Sequence, residues 1–531
     1  MSKLCLSDEQ LQEKLSSGVN KLADCVAVTL GPRGRNVMLR AGGRPVITKD
    51  GVTVAKFFET DDPFEDASAA VLKEVAENTN SSAGDGTTTS TVLARSIFNE
   101  AQKYVRAGHD PVELKRGIDK ALVQVLEKLS EISKPVQTFD EIKDVATISA
   151  NNDSGIGQLI ATATDQAGDE GAVTVRAGKT DETKLNLVEG FRFDSGYAAQ
   201  AFVTNERKNV VEYRDPLLLI TDERIDQVAQ ILPILEQVAR EDRPLIIVAD
   251  SVEGQALAAL IMNTVRGSMK VAACKAPRYG KERRDILSDL ALASGATFIT
   301  RGCDVALEQV KLSHLGQARQ IEIEKNSTTI VDGGGDWSLI EAKIEALRSE
   351  IKQTEDFDES KRLQHRVTRL QSGVAIIEVG AASEIEMVEK KHRIEDALEA
   401  VRSAQQQGIV PGGGSALVHC SNIKVELRTA TEEFGKQILL AALEAPVRQI
   451  AKNCSMSGDL IINQIRSTSK RKKSSVYGYD FLSEKVVDMF DSGIVDPAKV
   501  TATALRNAVS VVTTLMTTAT CILTENNQNE S

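Results

Sequence analysis

The run Gly84-Asp85-Gly86-Thr87-Thr88-Thr89-Ser90 is the sharpest concentration of phosphate-binding chemistry in the chain. Its glycines bare successive backbone N–H groups, four hydroxyls follow, and both flanks read as helical. N–H groups gathered at a helix start cradle an anion. Asp85, inside the run, carries the hard oxygens a divalent cation shared with phosphate needs. No GxxxxGK[ST] pattern occurs, so a nucleotide site here is of another type. The same residues also describe an ordinary glycine turn with threonine caps.

Other stretches can join it. Thr29-Leu30-Gly31-Pro32 ends one helical segment, and Lys49-Asp50-Gly51 closes a short hairpin. Both are common turn chemistry, although Asp50 is placed to activate water or sit beside a metal. Gly412-Gly413-Gly414 lets a backbone approach something closely because no Cβ intervenes; a flexible loop start reads the same way. Asp396, in RIEDALEAVR, reads as a solvated helical acid between Arg393 and Arg402. Asp496 reads as a turn or helix cap before Pro497. Five histidines are scattered without ligand spacing, and no serine or cysteine sits in a nucleophile motif.

The elements that must position these groups follow from periodicity. Leu11, Leu15, Val19, Leu22 and Val26 recur every three or four residues and form one helical face. NVML and PVIT predict a small hairpin. Helices are predicted over 64–80 and 88–107, and over 111–130 with Asp110 as cap and Pro111 in the first turn. A helix over 155–168 and the strands GAVTVRA and TKLNLVEG come next. Between 213 and 331, β-rich runs alternate with helices at 225–240, 254–265 and 281–292, an α/β arrangement with its own core. A helix pair over 338–372, the strand GVAIIEVG and helices over 384–407, 430–455 and 498–520 complete the order. These segments form either a string of five modules or a nested set around an inserted α/β domain.

Composition narrows the class. A chain of 531 residues exceeds a single domain, and 41% apolar with 26% charged residues suits a globular core. The formal charge of -12 argues against non-specific nucleic-acid binding, and 4% aromatics disfavours stacking platforms. Seven cysteines, odd in number and widely spaced, imply neither a disulfide framework nor a cysteine metal site. The N-terminus lacks a leader pattern and no run reaches 18 apolar residues, so a soluble, cytoplasmic protein in a reducing compartment is expected.

TLGPRGRNV, ITKDGVTVA, AGDGTTTSTVLA, ANNDSGIGQLI, KAPRYGKERR, VGAASEIEMVEKKHRIEDALEAVR, VPGGGSAL and GIVDPAKV together resemble, in order, the group I chaperonins of bacteria and organelles. The resemblance spans roughly 10–520 and extends to divergent viral members. It implies a multidomain chaperonin fold: a mostly α-helical equatorial domain from 1–131 and 407–531, a small α/β intermediate domain from 132–188 and 375–406, and an inserted α/β apical domain, 189–374. Pro135 and Gly408 would mark a lower hinge, Gly190 and Gly373 an upper one.

The resemblance further implies an ATPase that uses Mg2+, with K+ as a further candidate ion. Thr29, Leu30, Gly31, Pro32 and Lys49 match its nucleotide contacts, and Gly86, Thr87, Thr88 and Thr89 its phosphate cradle. Asp85 matches the magnesium ligand. Asp50 and Asp396 match the acids of hydrolysis, Asp396 swinging in as the hinge closes. Gly412, Gly413, Asp480 and Asp496 match groups around ribose and base. Tyr197, Phe202, Leu232, Leu235, Leu257, Ile261 and Met262 match apical positions that hold non-native polypeptides.

The implied protein is a ring-forming folding chaperone, its rings heptameric, single or double, with a small lid co-chaperonin as a possible partner and neither nucleic acid nor membrane. If viral, it would work in the host cytoplasm. Four departures bear on this. Ala201 replaces an aromatic, Ser457 stands where an acid would face Arg448 across rings, Asp480 stands where relatives often have Asn, and a polar LTENNQNES end, expected to be disordered, replaces a Gly-Gly-Met tail. A ring holdase with weak ATP turnover is the main rival, and a small-molecule kinase or ligase a distant one.

Overall fold

The computed structural model describes residues 3–40, 46–168, 171–178, 180–206, 208–301, 305–354 and 356–524. The chain divides into two compact units, Met1–Ala161 with Ala381–Ser531, and Thr162–Gly380.

The discontinuous unit is mostly helical. The face Leu11, Leu15, Val19, Leu22 and Val26 of the helix Asp8–Ala27 is buried in full. It packs against Pro63–Ala83 and Thr87–Arg106, and the core extends to Ala430–Ala442 and Ala498–Met516 near the other end of the chain. The helix starts obey their capping residues: Asp62 accepts from the N–H groups of Phe64 and Glu65, and Asp110 from Val112. The hairpin forms as Val37–Leu39 against Val46–Thr48.

The other unit is built on a nine-stranded mixed sheet. Its parallel strands Leu217–Ile220, Leu245–Ala249 and Val271–Lys275 are apolar and buried up to the terminal, exposed Lys275, as a sheet covered on both faces requires. The strand Lys184–Phe193 pairs through residue 189 with Gly373–Val379, then from Gly190 onward with Thr328–Gly333. The helices Trp337–Gln353 and Phe357–Gln371 pair as expected. Arg366 on the second grips the buried Asp289 of Gly280–Ser294 with two hydrogen bonds of 2.8 and 2.7 Å.

Several expectations need correction. The helix predicted over 225–240 begins only at Leu232, after a strand at Arg224–Ile225 and a 3₁₀ turn at Val228–Gln230. Pro233 is tolerated in a first turn but not in a helix interior, so the start moves to it. The span 430–455 is two helices, Ala430–Ala442 and Ala445–Asn453, with Pro446 opening the second. The last helix stops at Met516, and Thr520–Thr524 pairs antiparallel with Lys3–Ser7. Leu523 and Thr524 of the supposedly disordered tail thus belong to a strand; the rest of it lies outside the described residues. Helices Phe139–Ser149 and Gly458–Lys472 and the hairpin Tyr477–Asp480 with Lys485–Asp488 were not foreseen.

Candidate functional site

A cavity of about 490 Å³ opens within the helical unit. Helix ends, turns and a short strand supply its chemistry. The helix Thr87–Arg106 points its first turn into the space, and its N-cap, Gly86, sits at φ +83°, a conformation that favours glycine. With no side chain at the cap, no side-chain acceptor satisfies the first N–H groups, which remain available to an anion. Thr87, Thr88 and Thr89 line the wall there, and the Thr88 hydroxyl lies 3.1 Å from that of Thr29. Leu30, Gly31 and Pro32 continue the wall beside Thr29, and Lys49 and Asp50 face it. The Asp50 carboxylate caps the helix Gly51–Phe57, accepting from the N–H groups of Val52 and Thr53 at 3.1 and 3.2 Å.

Three further acids enter from distant sequence. Asp396 comes from the helix Glu384–Gln407, Asp496 from the strand Val495–Pro497 and Asp480 from the hairpin end. Asp480 accepts from the N–H groups of Leu482 and Ser483, which fixes the turn. Gly413 lines the cavity. Gly412 does not; its N–H donates to the Ile494 carbonyl at 2.9 Å, and a Cβ there would meet the same carbonyl, so its role is backbone packing.

The electrostatics call for a cation. Asp85 receives hydrogen bonds from the Gly86 N–H and the Ser149 hydroxyl, yet burial dominates and raises its pKa, with Asp50 adding repulsion. Asp496 is pushed up to about 7, first by burial and then by Asp85, against the N–H groups of Gly413 and Gly414. Lys49 is lowered by burial and by Arg393, with Glu389 opposing. A divalent ion would relieve the repulsion among these carboxylates. Among the described residues no three His, Cys, Asp or Glu side chains form a ready-made cage. Asp85 with phosphate oxygens and water suits Mg2+, which keeps few protein ligands. The residues present therefore fit a magnesium nucleotide.

Glu389, His392 and Arg393 line the same cavity as Asp396 and were missed as site residues. Their positions seven, four and three residues before Asp396, on the same helix face, were a legible signal. Arg393 is held by Glu389 at 2.6 Å and Asp153 at 3.3 Å. Ser149, the donor to Asp85, had no sequence signal.

In the α/β unit the seven apolar candidates separate. Leu232 and Met262 are exposed at 46% and 48%, while Tyr197, Leu257 and Ile261 are half-buried. Phe202 and Leu235 are corrections: both lie in the core, 0% and 5% exposed, and offer no surface. Leu235 turns inward because it shares with Ile234 and Val238 the helix face that joins the core of this unit, leaving Leu232 outside. In the helical unit, Arg448 is not left without an acid by Ser457. It bonds Asp459 at 2.9 and 3.0 Å and lies 2.5 Å from Glu444.

A helical unit assembled from both chain ends, an α/β unit from the middle and an anion-cradling cavity ringed by acids together define a multidomain chaperonin architecture. The sequence model of the TCP-1/cpn60 chaperonin family matches residues 22–526, and the chain belongs to that family. Membership assigns the general class of function, ATP-driven assistance to protein folding. The fold is similar to that of the chaperonin gp146 from the bacteriophage EL 2 (Pseudomonas aeruginosa), crystallised in the presence of ATP-BeFx. In crystal form II the TM-score is 0.67 at 22% identity, covering 98% of this chain and 100% of that one. In crystal form I it is 0.62 at 22% identity, covering 98% and 99%. Among the described residues, no helix is long and apolar enough to cross a membrane.

Proposed function

We propose that this chain is a magnesium-dependent ATPase that assembles into a ring and folds non-native polypeptides. The observation that carries the reading is the single cavity where Asp50, Asp85, Asp396 and the Thr87–Thr89 helix start converge from three separate stretches of sequence. The uncapped helix start holds the nucleotide phosphates through N–H groups and hydroxyls. Asp85 holds the magnesium ion, which when bound neutralises phosphate charge. Asp50 and Asp396 orient the attacking water and accept its proton. Gly413, Asp480 and Asp496 receive ribose and base.

The three-domain division carries over with this reading: an equatorial domain from 1–131 and 407–531, an intermediate domain from 132–188 and 375–406, and an apical domain over 189–374. Pro135 with Gly408, and Gly190 with Gly373, are its hinge positions, and hinge closure brings Asp396 to the nucleotide, so that hydrolysis waits on shape. Leu232 and Met262, with Leu257, Ile261 and Tyr197 beside them, form the capture surface. Each aliphatic group buried against a client contributes about 1.5–3 kcal/mol, and a ring multiplies weak contacts.

The test is native mass with and without ATP, coupled to phosphate release from the same sample. A mass of about 400 kDa corresponds to seven chains of 57.4 kDa, and about 800 kDa to two such rings. A ring that hydrolyses ATP supports the proposal. A monomer or dimer under every nucleotide condition refutes the ring, and a ring without turnover refutes the ATPase.

A further inference from the structure

A second cavity, of about 460 Å³, lies wholly within the α/β unit and far in sequence from the acids described above. It sits where the strand Lys184–Phe193 exchanges one partner strand for the other, and both Gly190 and Gly373 border it. Its floor is Phe191, Ile330, Ile340 and Leu370, all buried. At its mouth stand Leu187 and Trp337, which remain 54% and 46% exposed although such side chains normally seek cover. The volume is that of one small molecule rather than of a chain segment.

The walls state what that molecule is. Among the described residues that line it there is no Asp, Glu, Lys, Arg or His, so an ion entering would leave water for mostly uncharged surroundings at a cost. The Phe191 and Trp337 rings favour an aromatic body. Two lining residues carry hydroxyls whose protons are already spent: Thr368 donates to the Gln364 carbonyl at 3.0 Å, and Ser372 to the Thr368 carbonyl at 2.7 Å. A hydroxyl oxygen that donates its proton keeps lone pairs able to accept from a bound donor.

We infer that this cavity is a binding site for a small, neutral aromatic molecule carrying one N–H or O–H donor, of the indole or phenol kind. Bound there, the molecule would bridge the two pairings of one strand and hold them in a single arrangement.

N-phenyl-1-naphthylamine is a probe of that chemistry, neutral and aromatic with one N–H. Trp337, the only tryptophan of the chain, borders the site and can pass excitation energy to it. The expected result with the full chain is saturable energy transfer at one probe per chain. Leu187→Glu, which sets a charge at the exposed mouth, and Ala293→Leu, which fills the wall, should each weaken binding at least tenfold. Leu232→Ser with Met262→Ser should leave it unchanged. Circular dichroism shows which variants are folded, and either mouth or wall variant suffices. Absence of saturable transfer, transfer insensitive to the cavity variants, or transfer abolished by the Leu232 and Met262 changes would overturn the inference.

Discussion

Asp496→Asn should stabilise the nucleotide-free protein, and increasingly so as pH rises. Asparagine keeps the oxygen that accepts from Gly413 and Gly414 but never carries the charge that burial and Asp85 oppose. The folded carboxyl has its pKa raised to about 7, against roughly 3.9 in an unfolded chain. Between these values the unfolded state has released the proton and the folded state has not. Wild type therefore loses about 1.36 kcal/mol per pH unit relative to the variant across that window, and the gap levels off above it.

Full conversion gives about 4 kcal/mol at pH 8, and solvent reaching the open side of the cavity reduces this to about 2. From pH 5 to pH 8 the gap should widen by roughly 1–3 kcal/mol. The assay is urea unfolding of chelator-treated protein, followed by circular dichroism at several pH values. A gap that does not vary with pH, or a wild type more stable than the variant at pH 8, would refute the reasoning.

Asp396→Ala should leave ATP binding largely intact and slow hydrolysis by about two orders of magnitude or more, read by single-turnover phosphate release. Asp289→Ala leaves the buried Arg366 with Asp285, at 3.1 Å, as its nearest described acid, and should cost about 3–5 kcal/mol in unfolding experiments. Replacing the pair together by Leu and Met should cost less than that single change. Leu232→Ser with Met262→Ser should reduce capture of an unfolded client several-fold in an aggregation assay without altering ATP turnover.

Local pattern made most of the helices legible because their apolar faces and caps are written within a few residues, as with Leu11 to Val26 or Asp110 with Pro111. Boundaries failed where proline decided between two helical registers, at Pro233 and Pro446. The pairing of Lys3–Ser7 with Thr520–Thr524 was invisible because strand pairing carries no local record of its partner. Within the candidate site, the glycine-threonine run announced itself. Asp396 alone looks like a solvated surface acid, and only the spacing of Glu389, His392 and Arg393 reveals that its helix face is turned toward a cavity. Phe202 and Leu235 show the converse: apolar residues at suitable positions say nothing about which side of the wall they stand on.

The meeting of the two terminal strands also sets an order of events during synthesis. Residues 162–380 contain a whole sheet and its covering helices, so this unit can complete itself while translation is still under way. The strand Lys3–Ser7 leaves the ribosome long before its partner Thr520–Thr524. The cavity likewise needs Thr29 and Asp50 from the first chain segment and Asp480 and Asp496 from the last. The nascent chain must therefore carry an unfinished early segment, part of its apolar helix surface uncovered, until those later segments have been made. In a family that assists folding, this chain by its own topology completes the helical unit after the α/β unit.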